Sequence, residues 1–185
     1  MGARLFGERR TSALMSVSVV ACAFLLQASL LLKTDIMDTG KENKSKVCVA
    51  VIDSHAQLRE MPVKQLESSG YIVQFQVDNG KKALEKIKEG VKLPDVCLIE
   101  EDFATAKLLL EKHPDLKVLF SSTNDNEESV TDMLKTGVSG YILKFADPDE
   151  MLTAVKALSE NKKYFSVGIS RIATEYFHGN TGEHY

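Results

Sequence analysis

The chain of 185 residues is 44% hydrophobic and 26% charged, ordinary globular material that is long enough for one domain with a proper core and an additional segment. A net charge of −3 sets up no broad basic field of the kind that attracts nucleic acid by counterion release, so no nucleic-acid partner is expected of this chain. Three cysteines, Cys22, Cys48 and Cys97, stand far apart, two of them inside apolar runs, and read as small buried hydrophobes, not as a disulfide framework or a zinc site.

Residues 1–45 read as an N-terminal extension. No charged side chain occurs from Thr11 to Leu32, a stretch of 22 positions bounded by Arg9 and Arg10 before it and Lys33 after it. A spanning helix needs roughly 20 residues. This hydrophobic helix, 11–32, fits three readings: a membrane anchor, a cleaved signal, or the lead of an over-extended start in which Met37 opens the natural chain with the polar leader MDTGKENKSKV. The flanking cations, Arg4, Arg9 and Arg10 against Lys33, Lys41, Lys44 and Lys46, nearly balance and set no orientation. VVAC, Val19 to Cys22, has the form of a lipoprotein cleavage box, but apolar residues continue beyond the cysteine.

From Lys46 onward, short apolar runs alternate with segments of helical spacing. VCVAVI (Val47 to Ile52) is the first predicted strand, and Leu58, Met61 and Leu66 space the first helix, which Pro62 should kink or delay. YIVQFQV (Tyr71 to Val77) precedes a helix carried by Ala83, Leu84 and Ile87. DVCLI (Asp95 to Ile99) precedes one carried by Leu108 and Leu109, and KVLFS (Lys117 to Ser121) one carried by Val130, Met133 and Leu134. GYILK (Gly140 to Lys144) leads to Met151, Leu152, Val155 and Leu158, with Asp147 as a cap and Pro148 at the first helical position. This alternation implies right-handed βαβ units and an α/β fold: a flavodoxin-like (βα)5 doubly wound parallel sheet in the order 2-1-3-4-5.

Ligands of such a sheet collect at the carboxyl ends of its strands. There the sequence delivers Asp53 after strand one, Glu100 after strand three, Ser122 after strand four and Lys144 after strand five. Any one alone would mean little; an acid, a second acid, a hydroxyl and a lysine make a constellation. Glu100 facing Lys144 is expected to form an ion pair strengthened by low local dielectric. In PDVCLIEED, the further acids Glu101 and Asp102 read as caps of the third helix. His55, His113, His178 and His184 show no ligand spacing and receive no catalytic or metal role.

Residues 46–165 resemble the receiver domain of two-component response regulators. VIDSHAQLRE resembles the acidic first loop, PDVCLIE the strand with the phosphoacceptor, LFSST the hydroxyl switch, and GVSGYILKFADPDEML the Gly-Tyr-x-x-Lys element with the final helix. HPDLKV, and NKKYFS with the helix-like tail, resemble the NarL/LuxR-like subgroup, in which a helix-turn-helix domain follows the receiver. The resemblance implies that two adjacent acids and an aspartate hold Mg²⁺, that the aspartate attacks a phosphohistidine, and that a lysine, a hydroxyl and an aromatic residue report the event. Lys144, Ser122 and Tyr141 match the last three. Ser54 replaces the second acid, leaving Asp53 in a degenerate metal site, and Glu100 occupies the phosphoacceptor-equivalent position with one methylene too many for in-line attack. The loop after strand three lacks the family's Met-Pro and glycines, so the third helix should be shorter and closer.

The expectation is a pseudo-receiver: no catalytic residue, no cofactor, and a phosphorylation-independent protein-interaction module in signal transduction, with Glu100 as a built-in charge. Two alternatives remain. One is a true phosphoacceptor using Asp102 or Glu100, with Mg²⁺ as its cofactor; the other is a flavodoxin-like small-ligand binder, against which DSHAQLRE offers no glycine for a phosphate loop. In residues 166–185, Ile169, Ile172, Ala173 and Tyr176 recur at helical spacing before HGNTGEHY, so the helix-turn-helix effector is expected to be lacking. Output is then expected as contact with another signalling protein through the fourth helix, fifth strand and fifth helix, or as a homodimer. The expected location is cytoplasmic, with membrane tethering if 11–32 is an anchor.

Overall fold

Strands that carry aliphatic side chains on both sides are stable only when helices cover both faces of their sheet. β1 (Cys48–Ile52), β3 (Val96–Glu100) and β4 (Val118–Ser122) meet that description, being buried along almost their whole length. With β2 (Ile72–Val77), β5 (Gly140–Leu143) and β6 (Tyr164–Phe165) they form one parallel sheet in the order β2-β1-β3-β4-β5-β6. The computed structural model describes residues 46–90, 92–144, 147 and 149–179. The hydrophobic segment 11–32, Pro148 and His184 lie outside the described residues. Among the described residues, no helix is long and apolar enough to cross a membrane.

Five strands follow the order read from the sequence. The sixth does not appear in that reading: Tyr164 pairs with Gly140 and Phe165 with Tyr141, and two residues are too few to show a period. The helices are α1 (Ala56–Ser68), α2 (Gly80–Lys88), α3 (Phe103–Lys112), α4 (Glu127–Lys135), α5 (Glu150–Ser159) and α6 (Val167–Gly179). Pro62 does not delay α1, which begins at Ala56 and continues past it. The proline withholds an N–H from the Leu58 carbonyl, but Leu58 is 46% exposed, so water can serve that group. Asp147 does not cap α5, which starts at Glu150; its Oδ1 instead accepts from the Asp149 amide at 2.9 Å, in a turn ahead of the helix.

The two-residue period of the strands sorts the core into two layers. Val49, Val51, Val96, Leu98, Leu119 and Ile142 pack with Val63 and Leu66 of α1 and with Met151, Ala154, Val155 and Leu158 of α5. Ala50, Ile52, Cys97, Ile99, Val118, Phe120 and Tyr141 point the other way, toward α2, α3, α4 and α6. Cys97 is a buried free thiol whose pKa burial pushes up to about 12, so it packs as an apolar residue. α6 is no loose appendage: Ile169, Ile172 and Ala173 are buried in this second layer. It lies against α4 and β5, tied down where Ser166 Oγ accepts from the Leu143 amide at 2.8 Å and where Arg171 meets Glu127 of α4 at 3.2 Å.

Gly140 shows how closely β6 is set. A Cβ there would lie 2.8 Å from the Tyr164 carbonyl oxygen, 3.0 Å from Leu119 Cδ1 and 3.1 Å from Leu158 Cδ1. Gly140→Ala is therefore expected to lower stability by about 1–3 kcal/mol through overpacking, read as an earlier urea midpoint. An unchanged midpoint would mean that β6 yields without cost.

Candidate functional site

The period that sorts the core also sorts the strand ends. The rows facing α1 and α5 continue into Asp53, Glu100, Ser121 and Lys144, which line one groove of about 350 Å³ together with Leu58, Met61 and Met151. The opposite rows continue into Ser122 and Tyr141, which line a second groove of about 400 Å³ beside α3 and α4. The residues that the sequence grouped as one site thus lie on two faces of the sheet. The hydroxyl beside Glu100 is Ser121, its register partner across β3 and β4, and not Ser122. Counting parity from the buried rows would have found it.

In the first groove, Lys144 Nζ stands 3.0 Å from Glu100 Oε2, with side chains 17% and 9% exposed. Burial pushes the Glu100 carboxyl above its ordinary range, the ammonium of Lys144 and the hydroxyl of Ser121 oppose that, and the charge of Asp53 adds to it. Burial works against the Lys144 charge as well, yet Glu100, Asp53 and Glu101 together hold its pKa above the ordinary value. The two upward directions differ in cause: burial dominates at Glu100, while at Lys144 the neighbouring acids together outweigh burial. Lys144 is well compensated, while Glu100 is not.

Asp53 is 4% exposed at its side chain and accepts from the His55 amide at 2.8 Å through Oδ1. The Arg59 guanidinium donates to its main-chain carbonyl. Ser54, where a second acid would be needed, turns its exposed hydroxyl to His55 Nδ1 at 3.1 Å. Mg²⁺ demands near-octahedral oxygen coordination. Here one Asp53 oxygen serves a backbone amide, the Glu100 carboxylate faces an ammonium, and Ser54 points away. Among the described residues, no group of three or more His, Cys, Asp or Glu side chains is placed to hold a metal. The donor set does not fit Mg²⁺.

The two acids after Glu100 behave differently from one another. Asp102 caps α3 as expected: Oδ1 accepts from the Thr105 amide at 2.9 Å and Oδ2 from the Thr105 hydroxyl at 2.6 Å, an arrangement worth about 1 kcal/mol. Both of its oxygens are engaged away from Lys144. Glu101 does not cap the helix. Its φ of +50° lies in the left-handed region, which costs an L-residue about 1–2 kcal/mol. That conformation turns its carboxylate across to the β4–α4 loop, where Oε1 accepts from the Thr123 amide at 3.0 Å and the Thr123 hydroxyl at 2.8 Å. These two donors hold the Glu101 carboxyl below its ordinary range.

On the far face, Tyr141 is buried and its ring lies 5.4 Å from that of Phe120. Its hydroxyl donates to the Asn124 carbonyl at 2.5 Å, and Ser122 Oγ accepts from the Asn124 amide at 3.1 Å. Burial raises the Tyr141 pKa, and the nearby Asp125 and Glu101 charges raise it further.

An open parallel α/β sheet that gathers acids, a hydroxyl and a lysine at its strand ends is the architecture of a signal receiver. The chain belongs to the response regulator receiver domain family, whose description matches residues 49–156. It is similar to the transcriptional regulatory protein DegU of Brevibacillus brevis, 34% identical over 127 residues that cover 66% of this chain and 54% of DegU. It is also similar to the response regulator GacA of Pseudomonas viridiflava, 31% identical over 132 residues covering 66% of this chain and 60% of GacA. The chain thus spans little more than half the length of these relatives. Among solved structures, the signal receiver domain of a NarL response regulator from Mycobacterium tuberculosis superposes with a TM-score of 0.57 at 31% identity, covering 63% of this chain and 98% of that one. The isolated receiver domain of RcsB from Salmonella enterica serovar Typhimurium shares the fold, with a TM-score of 0.62 at 18% identity over 69% of this chain and 98% of that one.

The shared ammonium makes the groove asymmetric to mutation. Lys144→Met leaves Asp53 and Glu100 as neighbouring buried acids without their ammonium, at a cost of about 2–3 kcal/mol at neutral pH, below that of a fully buried pair because Lys144 is partly exposed. Glu100→Gln leaves Lys144 with Asp53 and Glu101 and should cost about 1 kcal/mol or less. A carboxyl whose folded pKa is raised contributes less stability as pH climbs through the window between its unfolded and folded values. The Lys144→Met deficit should therefore shrink as the solution is acidified toward the ordinary carboxyl range. Urea titrations of both variants at two pH values test this; equal losses would contradict the imbalance.

Proposed function

We propose that this chain is a degenerate receiver, a phosphorylation-independent protein-interaction module in two-component signalling. One observation carries the reading. Where the family places its phosphoacceptor aspartate, Glu100 is engaged with Lys144 at 3.0 Å, so the lysine that would tie down a transferred phosphoryl group already has an anion. Ser54 in place of an acid supports the same reading, as does the poor match of the donors to Mg²⁺. Asp102, the alternative acceptor, is favoured by nothing in its surroundings, since its oxygens are committed to Thr105. Tyr141 is buried, as expected of a switch kept in one state.

The partner in this reading is another signalling protein, or a second copy of the chain, approaching the side of the sheet formed by α4, β5 and α5. α6 changes what that side offers, because it lies on α4 and β5. A partner docking there meets α6 together with α4. We place the domain in the cytoplasm, where kinases and their partners are found; tethering would depend on residues 11–32, outside the described region.

The full chain, incubated with acetyl phosphate and millimolar Mg²⁺, should show no gain in intact mass. Addition of one phosphate mapped to Glu100, Glu101 or Asp102 would overturn the proposal.

A further inference from the structure

We infer that Glu101 is the positioning residue of the switch, an internal ligand whose carboxylate holds the β4–α4 loop, and through that loop Tyr141, in one arrangement. This deepens the reading of the chain as a receiver that needs no phosphorylation, and rests on it. The built-in charge of the strand ends is divided between two neighbours: Glu100 faces α1 and α5 and meets Lys144, while Glu101 crosses to the other side and meets the loop.

The connection is continuous. The Glu101 amide donates to the Ser121 carbonyl at 2.9 Å, so its backbone extends the β3–β4 ladder and is fixed in place. From that base its carboxylate accepts both donors of Thr123, the residue directly after Ser122. The next residue, Asn124, receives the Tyr141 hydroxyl on its carbonyl and gives its amide to Ser122 Oγ. Asn124 Oδ1 accepts from the Asn126 amide at 2.9 Å, and Asn126 Oδ1 in turn accepts from the first amides of α4. Of the side chains in this chain of bonds, Glu101 alone bears a formal charge, and hydrogen bonds to an ionised acceptor are about twice as strong as neutral ones. The left-handed backbone of Glu101 is the second sign of its task. A glutamate keeps that costly conformation when its surroundings over-determine it, and here the carboxylate bonds to Thr123 are what the conformation makes possible. Charge-assisted bonds that hold Glu101 below the ordinary carboxyl range keep it ionised throughout the neutral range.

The experiment uses the full chain labelled with 3-fluorotyrosine, with the Tyr141 resonance assigned by its loss in Tyr141→Phe, together with amide hydrogen exchange at Thr123. In the wild type, Tyr141 should give one resonance and the Thr123 amide should be protected. Glu101→Ala should lower that protection by about tenfold or more and broaden or shift the Tyr141 resonance; Glu101→Gln should fall between the two. Glu101→Gly removes the carboxylate and relieves the backbone together, so it reads the same effect if the alanine variant does not fold. Thr123→Val, which keeps the amide and deletes the hydroxyl, should move both readouts in the same direction by less. Protection within about twofold of wild type and an unmoved Tyr141 resonance in Glu101→Gly would overturn the inference, because a residue that merely stabilises the turn leaves Tyr141 where it is. Phosphate labelling of the wild type would instead sink the reading of the chain as phosphorylation-independent while leaving the Glu101 result intact, so the two failures are distinguishable.

Discussion

Parallel strands that end in register give each final side chain only two directions, and that restriction organises this end of the molecule. Because the period is two, a residue at a strand end cannot choose its neighbours independently of the core row behind it. Asp53, Glu100, Ser121 and Lys144 inherit the α1 and α5 side from Val51, Leu98, Leu119 and Ile142. Ser122 and Tyr141 inherit the other side from Phe120 and its row. A charge placed at Glu100 therefore faces away from Tyr141, and the turn that follows it is where bonded contact crosses from one side to the other. Glu101 occupies that turn.

The electrostatics follow from the same placement. Bringing Asp53 and Glu100 to one side of the sheet in a half-closed groove sets two carboxylates near one ammonium, and burial removes the water that would screen them. The ion pair at 3.0 Å is thus less a source of stability than a means of making two acids tolerable. This agrees with the general weakness of buried pairs as stabilisers. The strength of the arrangement lies in specificity, because Lys144 is drawn to a single place at the strand ends.

Much of this was legible in the sequence, and the parts that were not share a cause. Runs such as VCVAVI and PDVCLIE announce buried parallel strands by their unbroken apolar character, and GYILK places Lys144 without ambiguity. Glu100 followed from the length of DVCLI, and the cap of α3 from the acids after it. What escaped was any feature decided by direction instead of position. Ser121 and Ser122 are chemically identical, and only the parity of β4 relative to β3 separates them. Glu101 and Asp102 both look like caps, and only the positive φ of Glu101 sends one of them across the sheet. β6 is too short to leave a pattern, and the periodicity of α6 was visible while the surface that it covers was not.

Capping β5 with so small a strand bears on how the molecule keeps to itself. An open edge of a sheet is a template for pairing with another chain, and proteins blunt such edges by shortening, irregularity or cover. At one margin, β2 pairs with β1 through a break in register between Val49 and Ala50. At the other, Tyr164 and Phe165 present only two residues of edge, and α6 packs beside them. Cut before Lys162, the chain would present β5 bare, a four-residue strand with no neighbour on its outer side and with its α6 face uncovered. A bare edge of that kind is a template for self-association, and the segment from Tyr164 to Gly179 covers it.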